Sequence, residues 1–201
     1  MFSHFVGGSR PSRLSPAAAQ VARVVGASVA ASGGSLAVGC SLGADAAAVL
    51  GFLSAGGAPS SVQVFAVGAP DGSGFSSPEA ALWCSVAASR GCVVSWLAGG
   101  SLAVPPAGRL VGRAAAAVRS AASSAAFVVS SAVCPGSLAA AAVAVARGLP
   151  VVFFVVGFAP AALPLPPGCA GVWRSVSAPP GVRLPPGCLL RSFAPAQGSF
   201  L

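Results

Sequence analysis

Val38-Gly39-Cys40-Ser41-Leu42-Gly43-Ala44-Asp45-Ala46-Ala47-Ala48 reads as the end of a buried strand, a glycine-bearing turn and the first turn of a helix. Gly39 and Gly43 carry no Cβ, so the backbone can turn sharply there and approach a ligand closely. A helix opening near Asp45 directs its free N–H groups and the positive end of its dipole into the turn, which suits an anion such as phosphate. A second turn, Phe5-Val6-Gly7-Gly8-Ser9-Arg10, follows the first predicted strand and adds a guanidinium. Two such turns after neighbouring strands would face one crevice. The reading is a phosphate site for a nucleotide or a nucleic acid.

Outward from these turns, strand and helix alternate. Residues 2–6 form the first predicted strand. Ser15-Pro16 opens a helix, with Ser at the N-cap and Pro at the first helical position, running toward Ser32 and stopping at Gly33-Gly34. Residues 36–38 give the second strand, 44–55 the second helix and 61–67 the third strand. A Gly/Ser/Pro loop over 69–78 leads to a helix from Pro78-Glu79 to Arg90. The fourth strand spans 92–97. A helix over 108–123 carries Arg109, Arg113 and Arg119, and a fifth strand spans 125–129. Its exit through Cys134-Pro135-Gly136-Ser137 again ends in Gly-Ser before an Ala-rich helix over 138–147. The sixth strand covers 149–156.

This alternation with short connections predicts an α/β, Rossmann-like, doubly wound and mainly parallel sheet of about six to seven strands, with helices on both faces. Ligands in such sheets bind beyond the carboxyl ends of the strands, near the switch in strand order. The three Gly/Ser turns all fall at strand ends. Residues 1–158 are read as the nucleotide- or nucleic-acid-binding domain. Residues 159–201 are read as a Pro-rich segment, crowded by Pro160, Pro164, Pro166, Pro167, Pro179, Pro180, Pro185, Pro186 and Pro195. One short strand near 172–176 is expected there, the remainder being irregular chain.

Of the 201 residues, 55% are apolar and only 7% charged, far from the globular average. Ile, Asn, Thr, Lys and Tyr are absent, and the one Met is Met1. Nearly all of these need an A in the first or second codon position, so the coding strand reads as A-depleted. The net charge of +8 comes from eleven cations, all Arg, against three acids. That charge attracts polyanions, but the same bias suppresses acids and so weakens it as a sign of purpose. Residues retained against the bias (His4, Gln20, Asp45, Gln63, Asp71, Glu79 and Gln197) carry more information, and Asp45 is the one that sits in a motif.

The six cysteines are dispersed, with no C-x-x-C and a single distant His, so no metal site is expected. The start of the chain lacks the features of a secretory signal, and reduced thiols in a cytoplasmic protein are expected. The uncharged stretches 120–146 and 148–173 are cut by Gly and Pro. Their strongly apolar pieces, 127–129 and 151–156, are three to six residues long, where a spanning helix needs about 20. They read as strands buried on both faces, and no membrane partner is expected.

Val6-Gly7-Gly8-Ser9-Arg10, the Gly39-x-x-x-Gly43-Ala44-Asp45 turn, and Pro135-Gly136-Ser137 before a helix ending in Gly148-Leu149-Pro150-Val151 resemble, in order and spacing, the Rossmann-like domain of the DNA-processing protein A family. The wider superfamily includes the lysine-decarboxylase-like, cytokinin-activating phosphoribohydrolases. The resemblance covers roughly residues 2–156. It implies that Gly7, Gly8, Ser9 and Arg10 hold a phosphate. Gly39, Cys40, Ser41, Gly43 and Asp45 would form a second wall, and Pro135, Gly136 and Ser137 a third, offering N–H groups. Asp45 would bind a ribose hydroxyl or pin its own loop. In the DNA-processing family the same surface binds single-stranded DNA. The phosphoribohydrolases carry Pro-Gly-Gly-x-Gly-Thr-x-x-Glu, whose Glu does chemistry; here no carboxylate follows Pro135-Gly136-Ser137, which argues against glycosidic cleavage.

Three functions stay open: non-catalytic binding of a nucleotide or nucleotide derivative, taken as the main reading; single-stranded DNA binding, with Phe75, Trp83 and Trp96 the candidate stacking aromatics; and nucleotide hydrolysis, disfavoured. No catalytic residue and no cofactor are assigned. A homodimer is compatible with the low charge and high apolar content.

Overall fold

The computed structural model describes residues 2–159, 163–178 and 183–196. The expectations placed on Pro160, on Pro179-Pro180-Gly181 and on Gln197 lie outside these residues.

Local capping chemistry starts two helices where serine precedes proline. Ser15 Oγ accepts from Ala18 N at 3.2 Å and opens α1 (Pro16–Ala31). Ser77 Oγ accepts from Ala80 N at 3.3 Å and opens α3 (Pro78–Ser89). Proline at the first helical position gives up an N–H that had no helical partner anyway. β1 (Ser3–Gly8) precedes α1, and β2 (Ser35–Gly39), α2 (Ala44–Ser54) and β3 (Val62–Phe65) lie between the two helices. After α3 come β4 (Val93–Ser95), α4 (Pro106–Ser120), β5 (Ser124–Ser130), α5 (Pro135–Ala146) and β6 (Val151–Val156).

The strands form one sheet in the order β4-β3-β2-β1-β5-β6, all parallel. The chain builds outward from β1 through β2, β3 and β4, then returns to place β5 on the other side of β1. The switch in strand order thus falls between β1 and β5, with Gly7 opposite Phe127 and Gly8 opposite Val128.

Side chains of alternating strand residues split into two cores, as parallel strands buried on both faces require. α1, α2 and α3 cover one face, over Val6, Leu36, Val38, Val62 and Val64. α4 and α5 cover the other, over Phe5, Phe127, Val129 and Phe153. On that second face aromatic rings run across the sheet: Phe5–Phe127 at 5.3 Å, Phe127–Phe153 stacked at 4.8 Å, then Trp173 and Phe193 edge-on. Each such pair adds about 0.5–1.5 kcal/mol beyond area burial.

Beyond β6 the sheet is mixed. β7 (Gly171–Val176), the one strand expected in the Pro-rich segment, pairs antiparallel with β8 (Cys188–Pro195), which pairs antiparallel with β6. β8 lies where irregular chain is expected. Its prolines sit before and at the end of the strand, positions a sheet tolerates, and the run 188–194 contains none. Proline density over the whole segment hides this run. α5 also begins at Pro135, earlier than the predicted 138, because Cys134 takes the N-cap and Pro135 the first helical position.

Candidate functional site: a crevice at the switch in strand order

β1 leaves the sheet through Gly8, whose φ of 152° is a backbone conformation that side chains disfavour. A Cβ there would sit 2.7 Å from the Val128 carbonyl carbon and closer still to its oxygen. The close approach lets Ser9 N donate to Val128 O at 2.9 Å, so the first turn is bonded to β5 across the switch point. Ser9 is itself buried, and its Oγ accepts from Ser130 N at 3.0 Å. Ser130 Oγ in turn donates to Arg13 O and accepts from Ser15 N. The serine expected to hold phosphate therefore ties β1, β5 and the start of α1 together. Arg10, next along, is exposed at the rim.

The second turn packs directly against the first. Gly43 is required because a Cβ would collide with Ser9 O and meet the Arg10 backbone. Several of its donors are taken up within the protein. Gly43 N donates to Ser41 Oγ at 3.3 Å, Ala44 N to Ser9 O at 3.0 Å and Ala46 N to Ser41 O at 3.2 Å. Asp45 is buried, and its Oδ2 accepts from Ser41 N at 3.1 Å. Burial pushes its carboxyl above the usual range, opposed by the guanidinium of Arg113. Asp45 holds its own loop through Ser41 N and also lines the crevice. Cys40 points away from the turn into the core, where the Cys84 thiol holds it below the usual thiol range against the effect of burial.

At the third turn Cys134 is the N-cap of α5, and its sulfur lies 3.0 Å from Ser137 Oγ. Ser137 N donates to Cys134 O at 3.0 Å. Pro135 has no N–H, so Gly136, exposed at the second helical position, keeps an amide with no hydrogen-bond partner among the described residues.

α4 supplies a wall that the sequence reading does not assign. Arg109 and Arg113, one helical turn apart, both face inward. Arg109 is buried and donates to Val104 O, Val67 O and Gly74 O, lacing the loops that follow β3 and β4. Arg113 Nη1 lies 3.4 Å from Asp45 Oδ2, the one ion pair among the described residues. Gly39 leaves the room for that guanidinium, since a Cβ there would collide with it. The available signal is the i, i+4 spacing of two arginines on a helix that is otherwise apolar on the same side.

Together these elements enclose an open cavity of about 260 Å³ between α4, α5 and the carboxyl ends of β1 and β5. Gly7, Gly8, Arg10, Ser41, Asp45, Gly136 and Ser137 line it, above a floor that includes Phe5 and Phe127, with Leu110 on the α4 wall. Three turns separated by up to 130 residues of chain thus meet in one place. Ser9, Gly39, Cys40, Gly43 and Pro135 do not line the cavity; their contacts build the turns that do.

The other polar residues singled out by the sequence lie elsewhere. His4 sits at the amino end of β1, with Nδ1 2.9 Å from Ser124 Oγ. Asp71 accepts from Ser73 N within its loop, and Glu79 is exposed in the first turn of α3. Phe75 and Trp96 pack edge-to-face with each other, and neither they nor Trp83 lines the cavity. Among the described residues no cluster of His, Cys, Asp and Glu could hold a metal ion, and no helix is long and apolar enough to cross a membrane.

The fold is that of a Rossmann-like, doubly wound domain with its crevice at the switch in strand order. A solved structure that shares the fold is that of DNA processing protein A from Helicobacter pylori, a protein with a single-stranded DNA binding mode. It superposes with a TM-score of 0.59 at 17% sequence identity, covering 79% of this chain and 66% of that chain. At that identity the likeness shows the fold. The present chain spans just under two thirds of the neighbour's length. No protein-family model and no curated protein matches the sequence.

Proposed function

We propose that the crevice binds the sugar–phosphate backbone of single-stranded DNA without catalysing a reaction on it. The observation that carries this reading is the meeting of the exposed Arg10, the unpaired Gly136 amide at the start of α5 and the guanidinium-bearing wall of α4 on one cavity at the switch in strand order. Backbone amides at a helix start and arginines are the usual ligands of phosphate oxygens. The fold neighbour that binds single-stranded DNA supports the choice of ligand, as does the net charge of +8. Glycosidic cleavage lacks a free carboxylate: Asp45, the one that lines the cavity, is engaged by Ser41 and Arg113.

A second reading, a nucleotide or nucleotide derivative as the ligand, is favoured by the size of the cavity. At about 260 Å³ it matches one small ligand better than a run of bases.

The two separate in a titration of labelled oligothymidylate across a salt series, set beside thymidine monophosphate. DNA binding at the crevice gives an affinity that falls with salt, with a log–log slope that drops by about 0.7 in Arg10→Ala. Saturable monophosphate binding that an oligonucleotide cannot displace would favour the second reading. An oligonucleotide affinity untouched by Arg10→Ala would remove DNA from the crevice.

A further inference from the structure

Arg113 stands out among the charged groups of the molecule. Its side chain is only 15% exposed, yet it lines the cavity. Its one charged partner, Asp45 Oδ2, lies at 3.4 Å from Nη1, long for a charge-assisted bond, which runs about 2.7–2.9 Å. Its Nε is buried and makes no hydrogen bond to any described residue. A buried donor without a partner is costly, and native structures keep few of them without a use. Arg109, on the same helix face, shows the contrast: its Nε and Nη1 are both bonded to carbonyl oxygens, and it does not line the cavity. Arg191 Nε is also unpartnered, but that side chain lies on β8, away from the crevice, with Nη1 donating to Ser175 Oγ.

We propose that Arg113 is the phosphate-receiving side chain of the crevice, and that Asp45 is its positioning residue. Asp45 engages one Nη, which leaves the other Nη to meet a phosphate oxygen at the cavity, with Nε on the same edge of the planar group as a second donor that a phosphate reaches by displacing the atoms covering it. Asp45 is fixed by Ser41 N at the start of α2, so the carboxylate anchors the guanidinium to the second turn. Gly39 keeps that place open. Gly136, at the start of α5, lines the same cavity and offers its N–H as a further donor to the bound backbone, while the exposed Arg10 acts at the rim. This rests on the reading of the crevice as a nucleic-acid phosphate site and adds the side chain that receives the phosphate.

The test measures oligothymidylate affinity and, separately, the rise in melting temperature given by inorganic pyrophosphate. The variants are Arg113→Gln, Arg113→Lys, the double variant Asp45→Asn with Arg113→Gln, and Arg23→Gln. Arg23 is exposed on α1 and does not line the crevice, so its variant removes the same unit of charge elsewhere. Arg113→Gln is expected to weaken oligonucleotide binding by about ten- to a hundredfold and to abolish the pyrophosphate shift. Arg113→Lys keeps the charge but not the planar donors, and is expected to lose most of the same affinity. Arg23→Gln is expected to change affinity by no more than about twofold at physiological salt, where separated exposed charges are screened. The double variant leaves no unpaired buried charge, so it tests the site even if Arg113→Gln fails to fold. Oligonucleotide binding equal to wild type in folded Arg113→Gln or in the double variant overturns the inference and leaves the DNA reading standing. An Arg113-dependent pyrophosphate shift without oligonucleotide binding supports the inference and removes the DNA reading. No response to either probe removes both.

Discussion

Gly8→Ala is the substitution that the geometry of the crevice forbids most clearly. The backbone at residue 8 has φ 152°, and a Cβ would collide with the Val128 carbonyl and lie 2.9 Å from Val128 N. The obstacle is backbone of the adjacent strand, so no rotamer change can relieve it. Holding alanine in that conformation costs about 1–3 kcal/mol, and moving β5 aside costs about 1–3 kcal/mol more by analogy with overpacking. For a chain of this size each kcal/mol lowers the melting temperature by about 2–4 °C, so a drop on the order of 10 °C is expected. Gly136→Ala is the control. Nothing lies within 4 Å of a Cβ at residue 136, and alanine is the better helix former by up to about 1 kcal/mol, so its melting temperature is expected to hold or rise. Both are read by thermal unfolding followed by circular dichroism. A Gly8→Ala protein that melts within about 2 °C of wild type, on a scale where 1 kcal/mol moves the midpoint by about that much, would refute the claim that β1 and β5 meet this closely at the switch point.

Other substitutions probe the supports of the crevice. Ser130→Ala removes the hydroxyl that joins Arg13 O and Ser15 N; it is expected to cost about 2 kcal/mol in urea unfolding and to weaken oligonucleotide binding by loosening residues 9–15. Arg109→Ala strips the donor from three carbonyls and is expected to cost about 3 kcal/mol, with unfolding midpoints unchanged from wild type as the contrary result. Burial holds the His4 imidazole below its usual 6.5, so the unfolded chain binds the proton more readily. The stability this contributes is full above pH 6.5 and is lost as pH falls through the lower folded value. His4→Gln should flatten that part of the stability–pH curve. Asp45, whose carboxyl is shifted upward, acts with the opposite sign, so the difference between wild type and His4→Gln isolates the histidine.

The sequence spoke clearly where the chemistry is local. Ser15-Pro16 and Pro78-Glu79 mark helix starts because a cap, a proline or a first-turn carboxylate acts within one turn of chain. The alternation that implies a doubly wound sheet is likewise a matter of neighbouring segments, and it yielded six parallel strands and helices on both faces. Convergence of the three turns followed from the fold class, since strand ends of one parallel sheet share an edge. The division of labour within the turns was not legible. Ser9 looks like a ligand until Ser130, far along the chain, is placed beside it. Arg113 is one of three arginines on a helix, with no role assigned, until α2 and α4 bring it to Asp45. Both depend on contacts between distant segments; the i, i+4 spacing of Arg109 and Arg113 puts them on one helix face, but spacing does not name the partner each one meets. β8 escaped notice for a different reason: prolines that bound a strand look, by density alone, like prolines that break one.

The most direct test of the crevice as the DNA site is amide chemical-shift mapping of the folded protein titrated with a short oligothymidylate. Perturbations confined to Gly8, Arg10, Ser41, Gly136, Ser137 and the α4 residues around Arg113 are the expected result. Small shifts spread over exposed arginines such as Arg23, Arg90 and Arg174, with Gly8 and Gly136 unmoved, would contradict it and leave the charge as a diffuse attraction for polyanions.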